Sequence, residues 1–275
     1  MAGVVVIFDF DSTIIECDSD NWVLDEFGLT EKFYQLLPNM HWNPLMDKMM
    51  DELHSQGKTI EEIVEVLNKT PIHPHIVPAI EAAYSLGCEL RILSDANIFF
   101  IETILKHHGV LNCFSEITAN PSYVNEEGRL RIWPYHDYLK SSHGCNLCPP
   151  NMCKGLVIER FQNSLDTGKK KFIYLGDGSG DFCPSLKLKE SDYVMPRINF
   201  ALCDLVSKNS NDIKAHVHGW IDGEELKHVL LDIINKTIGK ENNIIGPKII
   251  SIDCKLGTIS IETHKPFPEA LPIRN

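Results

Sequence analysis

Four short apolar runs, each breaking into a polar turn, constrain this chain more than any other feature. Val4 to Phe8, Glu89 to Leu93, Phe172 to Leu175 and Tyr193 to Met195 are rich in β-branched residues and read as buried strands. Helical patterns lie between them, which is the alternation of a doubly wound parallel sheet of the Rossmann-like α/β class. Such sheets bind ligands just beyond the C-terminal ends of their strands, so the turns at Asp9, Ser94 and Gly176 are expected to converge.

The first crossover is too long for one helix. From Ser19 to about Thr70 the apolar spacing is helical: Phe33, Leu36, Leu37 and Met40; Leu45, Met49, Met50 and Leu53; Ile60, Ile63, Val64 and Leu67. Thr59 and Glu62 form a capping box that opens the last of these, and Thr70-Pro71 closes it. The expected organisation is an α/β core from residues 1–18 and 72–238, a helical cap inserted at 19–71, and an extension at 239–275. The cap methionines fall at helical spacing and read as core filling. Further on, Ile98 to His108 reads as a helix, Phe114 to Thr118 as a strand, and Arg129 to Trp133 as half of a hairpin. Ser141 to Cys153 is a cysteine-rich loop before a helix from Lys154 to Leu165, and Asp222 with Glu225 caps a final helix. Beyond Gly239 the pattern weakens, and the alternation of Ile250, Ile252, Ile259 and Ile261 permits a hairpin.

Charge narrows the partners. Twenty-six Lys+Arg against 38 Asp+Glu leave a net charge of −12, which argues against nucleic acid and against an acidic membrane surface. An anionic substrate must then be held by local donors or a metal. No apolar stretch approaches the ~20 residues of a membrane helix, and the start lacks the pattern of a secretory signal. Nine cysteines, an odd number, fit a reducing compartment better than a disulfide framework, so the expected location is intracellular, in the cytoplasm.

The chemistry concentrates at the strand ends. Asp9-Phe10-Asp11-Ser12-Thr13 follows the first strand directly. Two carboxylates at i and i+2 on a turn can point the same way, one to attack phosphorus and the other to move a proton at the leaving oxygen. The competing reading is that both aspartates cap a helix near Thr13. A calcium loop fails, because Thr13 and Ile14 stand where a third oxygen ligand and the turn glycine belong. Gly176-Asp177-Gly178-Ser179-Gly180-Asp181 follows another strand, and its aspartates are hard oxygen donors suited to Mg²⁺. Ser94-Asp95-Ala96-Asn97 offers a hydroxyl and amides at a helix start, a phosphate nest or simply a helix cap.

This ordered set resembles the haloacid dehalogenase superfamily of aspartyl-phosphate phosphatases over roughly residues 4 to 235. The resemblance implies Asp9 as nucleophile, Asp11 as general acid/base, and Ser94 and Lys154 as holders of the phosphoryl group. It implies Mg²⁺ held by Asp177, Asp181, Asp9 and the backbone carbonyl of Asp11. A finer likeness comes from Ser94-Asp95-Ala96-Asn97, His143-Gly144-Cys145, Cys148-Pro149-Pro150-Asn151-Met152-Cys153-Lys154 and Gly180-Asp181-Phe182-Cys183-Pro184. These are similar to the phosphoethanolamine/phosphocholine phosphatase family and its plant branch, which includes phosphate-starvation-induced and inorganic pyrophosphatase-like enzymes. Ser12 departs from the charged residue expected at its position in that branch.

The implied substrate is a small phosphorylated metabolite: phosphoethanolamine or phosphocholine, with pyrophosphate, thiamine phosphate and phosphoserine as alternatives. Acidic Asp20, with Asp18, at the cap entrance favours a cationic head slightly, with Trp22, Trp42 or Tyr34 as a cation–π face, against helix capping and aromatic core. Asp95 joins Asp20, Ser94 and Lys154 as a candidate substrate contact. A catalytically silent phosphometabolite-binding module is the reading from a different class. His143, Cys145, Cys148 and Cys153 have spacing that permits tetrahedral Zn²⁺, yet four donors within eleven residues demand an unusually tight loop. Reduced thiols packing the loop are the expectation there.

Overall fold

The computed structural model describes residues 3–164 and 170–239. The chain runs β1 (Val4–Phe8), α1 (Ser19–Glu26), α2 (Thr30–Leu36), α3 (Trp42–Ser55), α4 (Ile60–Leu67), α5 (Ile76–Ser85), β2 (Glu89–Asn97), α6 (Ile98–His107) and β3 (Phe114–Asn120). It continues with β4 (Ser122–Val124), β5 (Leu130–Ile132), α7 (Lys154–Ser164), β6 (Lys171–Gly176), α8 (Phe182–Ser185), β7 (Tyr193–Pro196), α9 (Ala201–Lys208), β8 (His216–Val217) and α10 (Gly223–Gly239). Six strands form one parallel sheet in the order β3-β2-β1-β6-β7-β8, the doubly wound α/β architecture. No helix among the described residues is long and apolar enough to cross a membrane.

The centre of the sheet explains why β1 carries no polar residue. Val4, Val6 and Phe8 face one core with α5, α6 and α10, while Val5 and Ile7 face the other with α7 and α9. Alternate side chains point to opposite faces, so a strand covered on both must be apolar throughout. Helices α1 to α4 occupy the long crossover, their inward residues merging into the first of these cores. The capping box forms with both its bonds, Thr59 Oγ1 accepting from the Glu62 amide and Glu62 from the Thr59 amide. At α1 the cap is Asp18, which accepts from the Asn21 amide at 2.8 Å, and neither Ser19 nor Asp20 fills that place.

Strand β2 and helix α5 differ from the sequence reading, which also did not name α8, α9 and β8. Strand β2 runs on to Asn97, with irregular pairing to β3 after Leu93, so Ser94 sits inside a bulged strand end. Helix α5 was legible only as part of the core, since its Ile-Val-Pro-Ala start carries no side-chain cap. The proposed hairpin around Ile250 to Ile261 lies outside the described residues.

The antiparallel hairpin β4–β5 stands apart from the six-stranded sheet and packs against α3. Asp47 on α3 accepts from Arg129 at 2.9 Å, from Arg131 at 2.9 and 3.2 Å, and from the Ile132 amide at 2.9 Å. Arg129 also reaches the more exposed Asp51 at 2.8 Å. Charge-assisted bonds of this kind are worth about 1.5–3 kcal/mol each and exposed pairs under about 1 kcal/mol. Asp47→Ala is therefore expected to lower the unfolding free energy in urea by about 2–3 kcal/mol, and Asp51→Ala by less than about 1 kcal/mol. Equal effects would mean that the hairpin does not anchor α3 through Asp47.

Candidate active site

Register brings the strand ends to one level. Phe8 pairs with Ile92 on one side and Leu175 on the other, and the Asp9 amide donates to the Leu175 carbonyl at 2.9 Å. Asp9 therefore stands beside Gly176, and Ser94 lies one residue beyond that level on the neighbouring strand. Gly176 pairs with Pro196, which carries Arg197 to the same edge.

Lys154, the first residue of α7, lies at the centre. Its Nζ is 3.0 Å from Asp9 Oδ1, 2.8 Å from Asp181 Oδ1 and 3.7 Å from Asp95 Oδ2, and the side chain is 3% exposed. Burial works against the ammonium, but Asp181 and Asp9 outweigh it and hold its pKa well above the ordinary lysine value. Lys154 is charged throughout the physiological range.

Asp181 spends its lone pairs on protein donors. Oδ1 accepts from Lys154 and, at 2.6 Å, from the Tyr174 hydroxyl; Oδ2 accepts from the Asp177 and Gly178 amides, each at 3.0 Å. It thereby ties the Gly-Asp-Gly turn to the lysine. A Cβ on Gly176 would come within 2.5 Å of this carboxyl, so only glycine fits there. Burial keeps the Tyr174 phenol well above its usual pKa, so it stays a donor.

Oxygens of Asp9, Asp177 and Asp181 lie within 4.8 Å of one another. Burial, then the charge of Asp181, raises Asp9 well above the carboxylate range and Asp177 to about 7. One ammonium among three carboxylates leaves an excess of negative charge that a hard divalent cation would neutralise. Oxygen-only donors in a tight group suit Mg²⁺ chemically. Asp9 Oδ1 takes the Phe10 amide at 2.7 Å as well as Lys154, and no donor among the described residues bonds its Oδ2.

Asp11 faces the start of α1 instead. Its Oδ1 accepts from the Ser19 amide at 3.0 Å, and burial, then Asp18, Asp20 and Asp9, raise its pKa well above the usual value. That shift favours the protonated form, the direction a general acid needs. Asp20 is 6% exposed and both its oxygens are engaged, Oδ2 by Trp42 Nε1 at 2.7 Å and Oδ1 by Asn97 Nδ2 at 3.4 Å. Burial, then Asp18, raises it to about 7. Trp22 donates to the Val66 carbonyl, and Trp42 packs edge-on against Phe33, as Tyr34 does, so the three aromatics are built into the cap. Ser94 is buried, its Oγ accepting from the Ala96 amide at 3.1 Å. Asp95 accepts from Asn151 Nδ2 at 3.1 Å.

Sequence reasoning missed several supports. Asn120 and Asn151 hold the Asp95 turn, Tyr174 holds Asp181, and Arg197 braces the nucleophile loop by donating to the Ser12 carbonyl at 2.7 Å and to Glu16. Ser12 has φ of +52°, a strained conformation for a non-glycine residue that such bonds must hold. Only Arg197 carried a signal, a lone cation just past a core strand end.

His143 does not join the thiols. Its Nε2 lies 2.9 Å from the Pro149 carbonyl, and its Nδ1 accepts from the Cys145 amide at 3.1 Å. The group that does come together is Cys145, Cys148, Cys153 and Cys183, from two segments of the chain. The earlier donor set of His143, Cys145, Cys148 and Cys153 is corrected accordingly.

A carboxylate turn, a buried lysine and a glycine-aspartate turn meeting at adjacent parallel strand ends define a phosphatase of the haloacid dehalogenase type. The family described as "Putative Phosphatase" matches residues 4–234, and the chain belongs to it. It is 57% identical over 268 residues to inorganic pyrophosphatase 2 of Arabidopsis thaliana, covering 96% of this chain and 95% of that protein. It is 53% identical over 245 residues to a thiamine phosphate phosphatase-like protein of the same plant, covering 88% of this chain and all of the other. Among solved structures, a HAD family hydrolase from Salmonella enterica serovar Typhi superposes with a TM-score of 0.58 at 15% identity, covering 84% of this chain and 71% of that one. A phosphoserine phosphatase with a phospho-aspartyl intermediate analogue superposes with a TM-score of 0.52 at 14% identity, covering 82% and 97%. The structural neighbours share the fold, and the close relatives place the chain in the plant pyrophosphatase-like branch.

Proposed function

We propose that this hydrolase transfers the phosphoryl group of inorganic pyrophosphate to Asp9 and then to water. The observation that carries the chemistry is Lys154 Nζ within 3.0 Å of both Asp9 and Asp181 at the C-terminal ends of the strands, with Asp9 Oδ2 bonded by no donor among the described residues. Asp9 Oδ2 attacks phosphorus in line with the leaving oxygen, and Asp11 donates the proton which that oxygen needs. Asp11, now a base, takes a proton from the water that attacks the aspartyl phosphate. Lys154 and the hydroxyl of Ser94 hold the phosphoryl oxygens, and Asp95 orients Lys154. Asp181 acts as a positioning residue, since its lone pairs go to Lys154, Tyr174 and two amides. Asp9, Asp177 and the Asp11 carbonyl would hold Mg²⁺, which when bound supplies charge neutralisation for the phosphoryl oxygens.

Two observations favour pyrophosphate over the amine-alcohol phosphates suggested by sequence. A relative 57% identical over 268 residues is named inorganic pyrophosphatase. Asp20, the group nominated for a cationic head, is already bonded through both oxygens to Trp42 and Asn97. Pyrophosphate would then enter as its Mg²⁺ complex, which carries less negative charge.

The test is kcat/KM, with Mg²⁺, for pyrophosphate, phosphoethanolamine, phosphocholine, phosphoserine and thiamine monophosphate. Pyrophosphate is expected to lead by more than about a hundredfold, beyond what a simple pocket difference gives. A lead for either amine-alcohol phosphate would overturn the substrate assignment while leaving the Asp9 chemistry standing.

A further inference from the structure

We propose that Cys145, Cys148, Cys153 and Cys183 form a structural Zn²⁺ site that braces the active-site lysine from behind. The four sulfurs lie within 4.8 Å of one another, with Cys183 Sγ 3.7 Å from Cys145 Sγ and 3.9 Å from Cys153 Sγ. With Zn–S bonds of about 2.3 Å, the edge of a tetrahedron is about 3.8 Å. These spacings match that edge and are far from the ~2.05 Å of a disulfide, and all four residues are free cysteines.

The backbone is built around the sulfurs. At the start of α7 the Gly155 amide donates to Cys183 and the Leu156 amide to Cys153. A Cβ on Gly155 would fall 2.5 Å from Cys183 Sγ, so glycine lets the helix start approach the cluster. Amides at a helix N-terminus favour anionic sulfur, and four thiolates around Zn²⁺ leave a net charge of −2 for them to offset. Each thiol releases its proton to solvent as the metal binds.

Four protein ligands leave no open coordination position, which marks a structural site rather than a catalytic one. Soft thiolates select Zn²⁺ while the carboxylates around Asp9 suit Mg²⁺, so the two sites do not compete for one metal. Cys153 precedes Lys154, and Cys183 follows Asp181 by two residues. An ion joining them clamps the two turns whose side chains meet at 2.8 Å. It also ties down the loop 141–153, which has no regular secondary structure.

The experiment measures metal content of the full chain purified from zinc-supplied cells. About one zinc per chain is expected, released on titration of the thiols with an organomercurial, and Co²⁺ replacement should produce the visible bands of a tetrahedral thiolate site. Cys148→Ser and Cys183→Ser should each lose zinc at least about tenfold. His143→Ala and Cys88→Ser should keep it. Folded wild-type protein with less than about one tenth of a zinc per chain and no cobalt–thiolate band would overturn the proposal. So would zinc lost from His143→Ala but retained in Cys183→Ser. None of these readouts depends on the substrate or on Mg²⁺.

Discussion

Asp9→Asn protein is expected to fold as the wild type does and to turn over substrate at least about a thousandfold more slowly. The amide keeps the size of the side chain and can still accept at one oxygen from the Phe10 amide, which the carboxylate now holds at 2.7 Å. It cannot attack phosphorus as an anion, so no aspartyl phosphate forms. Substitution also removes one of the three carboxylates within 3.7 Å of Lys154, so thermal stability should hold or rise slightly. Steady-state kinetics, with the amide verified by mass spectrometry, reads the first outcome and calorimetry the second. Activity within tenfold of wild type would require another nucleophile and would remove the mechanism. Asp11→Asn should lose turnover as well, because an amide has no proton to give to the leaving oxygen.

Lys154→Met is expected to damage the fold as well as the chemistry. The ammonium is buried and bridges Asp9 and Asp181, and deleting one partner of a buried ion pair costs about 3–5 kcal/mol because the other is left uncompensated. For a chain of this size that corresponds to a fall in Tm on the order of 10 °C. Adding Asp181→Asn to Lys154→Met removes one orphaned charge, so the double variant should be less destabilised than the sum of the singles, with a coupling of at least about 1 kcal/mol. Additive effects would show that the short contact carries no energetic weight. Turnover should be lost in both single variants, in Lys154→Met through a missing phosphoryl contact and in Asp181→Asn through a mispositioned lysine. Lys154→Arg should not restore it, since a guanidinium is larger and planar.

The sheet was legible because its strands are local signals. Val4 to Phe8 is apolar throughout for one reason, burial on both faces, and the same holds for the core of β6. The capping box at Thr59 and Glu62 and the amphipathic pattern of α3 were readable for the same reason, since each depends on residues within a few positions of one another. Asp9, Asp11 and Asp177 were legible because they follow strands closely, where a polar turn breaks an apolar run.

What the sequence by itself determined was the main strands and the helical crossover between the first two, the turns that carry aspartate, serine and glycine, and the residue types that phosphoryl transfer needs. Tertiary structure alone decided which of them touch. Lys154 and Asp181 are 27 residues apart and meet at 2.8 Å, and the Asp20 carboxyl turns out to be bound by Trp42 and Asn97. Cys183 replaces His143 in the sulfur cluster, although 30 residues separate it from Cys153. Spacing along the chain constrains contacts only within one element or turn. Contacts between elements follow from sheet register and from how buried charges and thiols find partners, and these depend on the whole packed chain.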